Sequence, residues 1–222
     1  MSLYDALNGD MNGGGISRHG LHESKILGVM VGIVTDNKDP DRLGRVKVRM
    51  PRLTGDEESA WARVATFMAG SNMGAVFIPE VDDEVLLAFE QGDVNLPYVI
   101  GALHNGRDNA PYANADGQNK ERVIKSKSGH IVRLDDTPGQ EKIEIIDKTG
   151  DNMITIDSAE NKIKIEAKTE IELNVAKDGT FKMSARQLEF EASDSITFTS
   201  TGAINMTSSD KVNVIGPEIN LN

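Results

Sequence analysis

Ile163–Lys164–Ile165, Ile171–Glu172–Leu173, Phe181–Lys182–Met183, Leu188–Glu189–Phe190, Ile196–Thr197–Phe198, Ile204–Asn205–Met206, Val212–Asn213–Val214 and Ile219–Asn220–Leu221 follow one another to the C-terminus. Each triplet is apolar–polar–apolar, the signature of a short strand with one buried face. From Ile163 the steps are 8, 10, 7, 8, 8, 8 and 7 residues. Ile143–Glu144–Ile145 and Ile154–Thr155–Ile156 extend the pattern upstream. A strand this short cannot stand alone and must stack on copies of itself, the logic of a β-helix or β-prism. Stacked strands rise about 4.8 Å each, so ten of them give a rod on the order of 50 Å long.

Composition fits a thin rod better than a thick core. Of 222 residues, 38% are hydrophobic but only 5% aromatic. There is no Cys, which excludes disulfides and Cys-ligated zinc. No stretch approaches the length of a membrane span, and the N-terminus lacks a signal peptide's apolar core. The net charge is −11, which argues against a nucleic-acid partner because phosphate contacts need Lys and Arg.

Upstream of the repeats the pattern changes. Residues 1–24 hold Asn8–Gly9–Asp10 and Asn12–Gly13–Gly14–Gly15 and read as an extended arm. Residues 25–105 read as a compact all-β region. Its expected strands are Ile26–Val34, Arg45–Met50, Ala60–Ala65, Gly74–Ile78, Glu84–Glu90 and Tyr98–Leu103, with turn signals at Asp39–Pro40–Asp41 and Leu53–Thr54–Gly55–Asp56. Five or six short strands in that span fit a small closed barrel of the OB type. Residues 106–122 are rich in Asn, Asp, Gly and Pro and read as a linker. The repeating region follows at 123–222.

The barrel region carries a dense set of spaced residues. These include Leu43–Gly44–Arg45–Val46–Lys47–Val48–Arg49–Met50–Pro51, Ala60–Trp61–Ala62–Arg63–Val64, Ala69–Gly70 and Gly74. They continue with Ile78–Pro79–Glu80–Val81–Asp82–Asp83–Glu84–Val85–Leu86–Leu87, Gly92–Asp93 and Pro97–Tyr98–Val99–Ile100–Gly101. This set resembles the spike proteins of contractile injection machines: the VgrG proteins of type VI secretion, the phage baseplate assembly protein V, and the spikes of extracellular injection particles.

The resemblance implies an all-β homotrimer. Three OB barrels form a collar, and three C-terminal segments wind into one intertwined β-prism that breaches a target membrane mechanically. The residues themselves assemble no catalytic, cofactor or metal site, so no enzyme activity, cofactor or metal is expected. The resemblance also implies assembly in the bacterial cytoplasm into a phage tail or a secreted or extracellular particle. The expected trimer core is Ile163, Ile165, Ile171, Leu173, Phe181, Met183, Leu188, Phe190, Ile196, Phe198, Ile204, Met206, Val212 and Val214.

Many relatives carry a large N-terminal hub region absent from this sequence, so the resemblance implies a separate hub protein. Leu3, Tyr4, Leu7, Ile16, His19 and Leu21 are the candidates to grip it. Some phage spikes carry a lysozyme domain after the barrel, and here only the 106–122 linker stands there. Others end in a His-x-His pair that binds iron. The His residues here are His19, His22, His104 and His130, none near the end. A small PAAR-type protein is therefore the expected cap, seated on Ile215, Pro217, Ile219, Leu221 and Asn222.

Other constellations have plainer readings. Asp36–Asn37–Lys38–Asp39–Pro40–Asp41 lacks the central Gly and terminal Glu of a calcium loop and reads as a turn. Asp135–Asp136 and Glu57–Glu58 are adjacent pairs that point to opposite faces on a strand, and they read as solvated turns. Ser128–Gly129–His130 with Asp135 lacks a nucleophile elbow and reads as the start of the prism. Trp61 is expected in the barrel core or the collar interface. The rival reading of the whole chain is a trimeric tail adhesin that binds a surface glycan.

Overall fold

The computed structural model describes residues 25–53 and 58–219. The chain divides into two units, Met1–Thr169 and Glu170–Asn222.

The first unit begins with a barrel. Its strands are β1 (Met30–Asp36), β2 (Lys47–Arg49), β3 (Arg63–Val64), β6 (Glu84–Phe89) and β7 (Pro97–Ala102), in the order β2-β1-β6-β7-β3. All neighbours are antiparallel except β3 and β7, which run parallel. The barrel closes where the segment leading into β3 returns to β2. There Val46 and Ala62 exchange backbone hydrogen bonds at 3.0 and 2.7 Å, and the Ser59 N–H donates to the Val48 carbonyl at 2.8 Å. These bridges join the β2 edge of the sheet to the segment that leads into β3.

Alternation along each strand fills the interior. Val34, Val46, Val48, Met50, Ala62, Val85, Leu87, Phe89 and Val99 are buried, with Ile26, Met30, Val64 and Val94 packed around them. The core is built from β-branched and mid-sized residues because a five-stranded barrel encloses little volume. Trp61 is not part of it. Ala62 takes the inward position, and the half-buried Trp61 ring lies outside between the Arg45 guanidinium (5.9 Å) and the Lys47 ammonium (5.5 Å). The reason is the period of two: only one of two adjacent residues can face in.

The strand expected over Gly74–Ile78 is mostly absent. A separate two-stranded hairpin forms instead from β4 (Ala69–Gly70) and β5 (Met73–Gly74), and the chain leaves strand geometry after Gly74. The first expected strand also starts later, at Met30. A 3-10 turn, Glu90–Gly92, links β6 towards β7.

The second part of this unit is a five-stranded antiparallel meander: β8 (Glu121–Lys125), β9 (Ile131–Asp135), β10 (Lys142–Ile146), β11 (Met153–Asp157) and β12 (Lys162–Glu166). Strand β8 starts two residues inside the segment expected as linker. Tight turns join the strands. In the 147–152 turn, Gly150 has φ +77°, a backbone that favours glycine, while the Asp147 carboxylate accepts from Thr149 and Asn152.

The second unit differs. Among the described residues, the one backbone–backbone hydrogen bond within 170–217 joins the Gly179 N–H to the Ala176 carbonyl at 2.7 Å, and no strand pairing forms there. The repeating region expected as one body over 123–222 therefore consists of two kinds of structure. Up to Glu166 it pairs with itself. After Thr169 the apolar–polar–apolar triplets form no strand ladder among the described residues.

Candidate assembly surface

Ladder register sorts the meander's residues by face, because residues opposite one another in a pair share a side. Ile143 stands opposite Leu134 and Ile156, Ile145 opposite Val132 and Ile154, and β11 passes the row on to Ile163 and Ile165. Ile124 joins from β8 opposite Val132. One face thus carries Ile124, Val132, Leu134, Ile143, Ile145, Ile154, Ile156, Ile163 and Ile165. Within one chain these nine side chains are 39–69% exposed.

The opposite face is charged and internally satisfied. Glu144 sits at its centre with an 8% exposed side chain, gripped by Arg133 (Nη2 to Oε2, 2.5 Å; Nε to Oε2, 2.7 Å) and by Lys142 at 3.2 Å. Glu121 lies 3.7 Å from Arg133 on the neighbouring strand. Burial pulls the Arg133 guanidinium's pKa down, but the hydrogen bond and charge of Glu144 outweigh it and raise it. Lys164 pairs with Glu166 at 2.7 Å. Half-buried Ile131 and Ile146 share this face, so the covered side holds the Glu144 carboxylate while the nine aliphatics of the other face are uncovered.

Where the sheet meets the barrel, Lys127 in the β8–β9 turn binds Glu80 at 2.8 Å. Beside that ion pair lies a groove of about 700 Å3, lined by Phe77 and Ile78 from the barrel side and by Ile124, Val132, Ile145, Ile154 and Ile165 from the sheet.

The second unit continues the apolar exposure. The proposed core residues Ile171, Leu173, Phe181, Met183, Leu188, Phe190, Ile196, Phe198, Ile204, Met206, Val212 and Val214, with Ile163 and Ile165 of β12, are 49–72% exposed in a single chain. Of the expected cap-binding residues, Ile215, Pro217 and Ile219 are exposed, while Leu221 and Asn222 lie outside the described residues. Leu3, Tyr4, Leu7, Ile16, His19 and Leu21 also lie outside them.

The polar constellations are committed to local structure. Asp39 receives Arg45 on both carboxylate oxygens and the backbone N–H groups of Asp41, Leu43 and Arg45. The Arg45 guanidinium, then those N–H groups, hold the Asp39 carboxyl well below the usual carboxylate range. His130 Nδ1 accepts from the Lys148 N–H at 3.2 Å, Ser128 Oγ meets Ser126 Oγ, and Asp135 accepts from Thr137. The Ser–His–Asp trio is therefore not wired as a triad. Asp136 binds Arg122, and Glu58 binds Lys47. Among the described residues no group of three His, Cys, Asp or Glu side chains is placed to hold a metal ion.

The meander residues Ile124, Leu134, Ile143, Ile145, Ile154 and Ile156 were not among the expected core positions. Their signal was present in the alternation of Val132–Arg133–Leu134 and of the two upstream triplets.

Residues 30–104 match the type VI secretion system/phage-baseplate injector OB domain. The chain is 37% identical over 134 residues to the type VI secretion system spike protein VgrG5 of Pseudomonas aeruginosa, covering 54% of this chain and 17% of that protein. It is 31% identical over 144 residues to VgrG1a of the same organism (59% and 22%) and 33% identical over 112 residues to the spike protein VgrG3 of Vibrio cholerae (46% and 11%). The chain spans less than a quarter of the length of these relatives.

Proposed function

From a chain that carries an injector OB domain and is similar to VgrG-type spike proteins, we propose a structural, membrane-piercing spike: a homotrimer whose barrels form a collar and whose C-terminal segments wind into a β-prism needle. The observation that carries this reading is the pair of uncovered apolar surfaces, the nine-aliphatic face of the meander and the unpaired triplets after Thr169. Contiguous apolar patches beyond about 300–600 Å2 are rare on monomers and mark contact sites. Three copies about one axis turn the three apolar faces inward and the Arg133–Glu144 faces outward. Covering each half-exposed aliphatic contributes on the order of 1 kcal/mol.

The same symmetry supplies hydrogen-bond partners to residues 170–219. Holding one residue extended costs about 1–2 kcal/mol of backbone entropy, so this segment needs neighbouring strands to stay extended. In the intertwined prism each triplet pairs with another copy's triplet, and every layer bonds to the next. Such a rod resists axial compression. Contraction of the surrounding machine then concentrates force on a small area of target membrane. Attachment to a hub through the 1–24 arm and the barrel, and a PAAR-type cap on Ile215, Pro217 and Ile219, belong to the same proposal.

Light-scattering mass of the full-length protein across its size-exclusion peak is the test. A species of about three times the 24.1 kDa chain mass, resistant to SDS without boiling, is expected. A monomer would overturn the trimer.

A further inference from the structure

We infer that the 65–78 hairpin arm of the barrel is a clasp that docks on a second copy of this chain, extending the contact between sheets up into the collar. The inference rests on the trimeric reading above.

Residues 64–79 carry no charged side chain, in a chain that is 27% charged. The arm stands apart from the barrel sheet as its own two-stranded ladder. Its outward residues are among the most exposed apolar side chains in the chain: Phe67 at 85% and Val76 at 78%. Yet the arm is a built structure. The Ala75 N–H donates to the Met68 carbonyl at 3.0 Å, and Thr66 Oγ1 donates to the Ala75 carbonyl at 2.9 Å. The Met73 side chain covers Gly70, and a Cβ on Gly74 would lie 2.8 Å from the Met68 carbonyl oxygen. A hairpin so defined, presenting bare Phe and Val to water, is preorganised for contact.

Continuity identifies the occupant. Phe77 and Ile78 line both the groove against the meander and a second cavity of about 820 Å3 between the arm and the barrel, whose wall includes Leu43, Trp61 and Met73. Phe77 and Ile78 thus link the apolar face of the meander to the arm. A neighbour that covers Ile145 and Ile154 meets Phe77 and Ile78 at the groove's edge. In a three-fold ring each contact joins two different surfaces, so an arm on one protomer meets a non-equivalent surface on the next and the ring closes.

The chain lacks Cys, so disulfides between copies cannot confound a photo-crosslinking gel. Benzoylphenylalanine replaces Phe67 in the full-length protein, and in a parallel variant it replaces Thr155 on the charged sheet face. Irradiation is expected to give covalent dimers and trimers on a denaturing gel from the Phe67 variant and none from the Thr155 variant. A Phe67 variant with trimer mass but no covalent oligomer would overturn the clasp while leaving the trimer standing. Equal crosslinking from both positions would also overturn it. A monomeric mass would remove the trimer reading, and the clasp with it.

Discussion

Arg45 holds Asp39 with two of its nitrogens, Nε to Oδ2 at 3.0 Å and Nη2 to Oδ1 at 2.7 Å, and the Asp39 side chain is only 3% exposed. The same guanidinium reaches Asp41 and lies over Trp61. One ion pair therefore ties the β1–β2 loop to the outer wall of the barrel.

Asp39→Asn is expected to lower the melting temperature at pH 7. Asp39 has its pKa depressed in the fold, so its contribution is complete above the ordinary 3.8 and is lost as pH falls towards the much lower folded value. The gap between wild type and Asp39→Asn should therefore narrow below pH 3.8. Asp147, brought down to about 2 by Thr149 and then Asn152, adds acid sensitivity of the same sign between 3.8 and about 2. Thermal melts at stepped pH check both, and a gap that widens in acid would contradict the assignment.

Gly32 faces Leu87 across β1 and β6. A Cβ at Gly32 would come 2.8 Å from Leu87 Cδ1 and 3.4 Å from Val48 Cβ, and Leu87 is fully buried. Gly32→Ala should cost roughly 1–3 kcal/mol by overpacking, and Leu87→Ala about 2–5 kcal/mol by leaving a cavity. Combining Gly32→Ala with Leu87→Val should cost less than the two separately, because the shorter side chain makes room for the methyl. Denaturant unfolding followed by Trp61 fluorescence reads this cycle.

Glu144 is a covered carboxylate held chiefly by Arg133. Arg133→Met leaves it with Lys142 and should destabilise the meander by on the order of 1–3 kcal/mol. Arg133→Met with Glu144→Met should recover most of that loss, since two apolar residues replace a pair whose desolvation offsets its attraction. Equal instability of the single and double variants would show that the pair itself contributes.

Ile154 and Thr155 are neighbours on β11 that face opposite ways. Ile154→Asp should shift the mass from trimer to monomer by placing three carboxylates inside the assembly, while Thr155→Asp should leave it unchanged. Ile196→Asp makes the same test in the needle. A trimer of wild-type melting temperature from Ile196→Asp would refute the proposed register there.

Much of the barrel was legible because alternation and turn chemistry are local. Glu84–Phe89 and Pro97–Ala102 fall within a residue of their expected bounds. Local pattern misled at Gly74–Ile78, where Val76, Phe77 and Ile78 have the residue types of a strand but no ladder partner among the described residues. It offered the barrel core as one place for Trp61, yet Ala62 takes the inward position, since either residue type can enter a core. On the meander the alternation was visible, but the triplets at 143–145 and 154–156 did not disclose whether they pair within one chain or between chains.

By itself the sequence determined the repeat, the apolar face of each triplet and the order of barrel then repeats, because period two and the spacing of turns are written residue by residue. Only the tertiary structure decided where pairing within the chain stops. Antiparallel register joins β8 to β12 through tight turns, whereas the triplets after Thr169 pair with no edge among the described residues. Which edge a strand meets depends on how the intervening chain turns, and that is a property of the folded path rather than of the triplet.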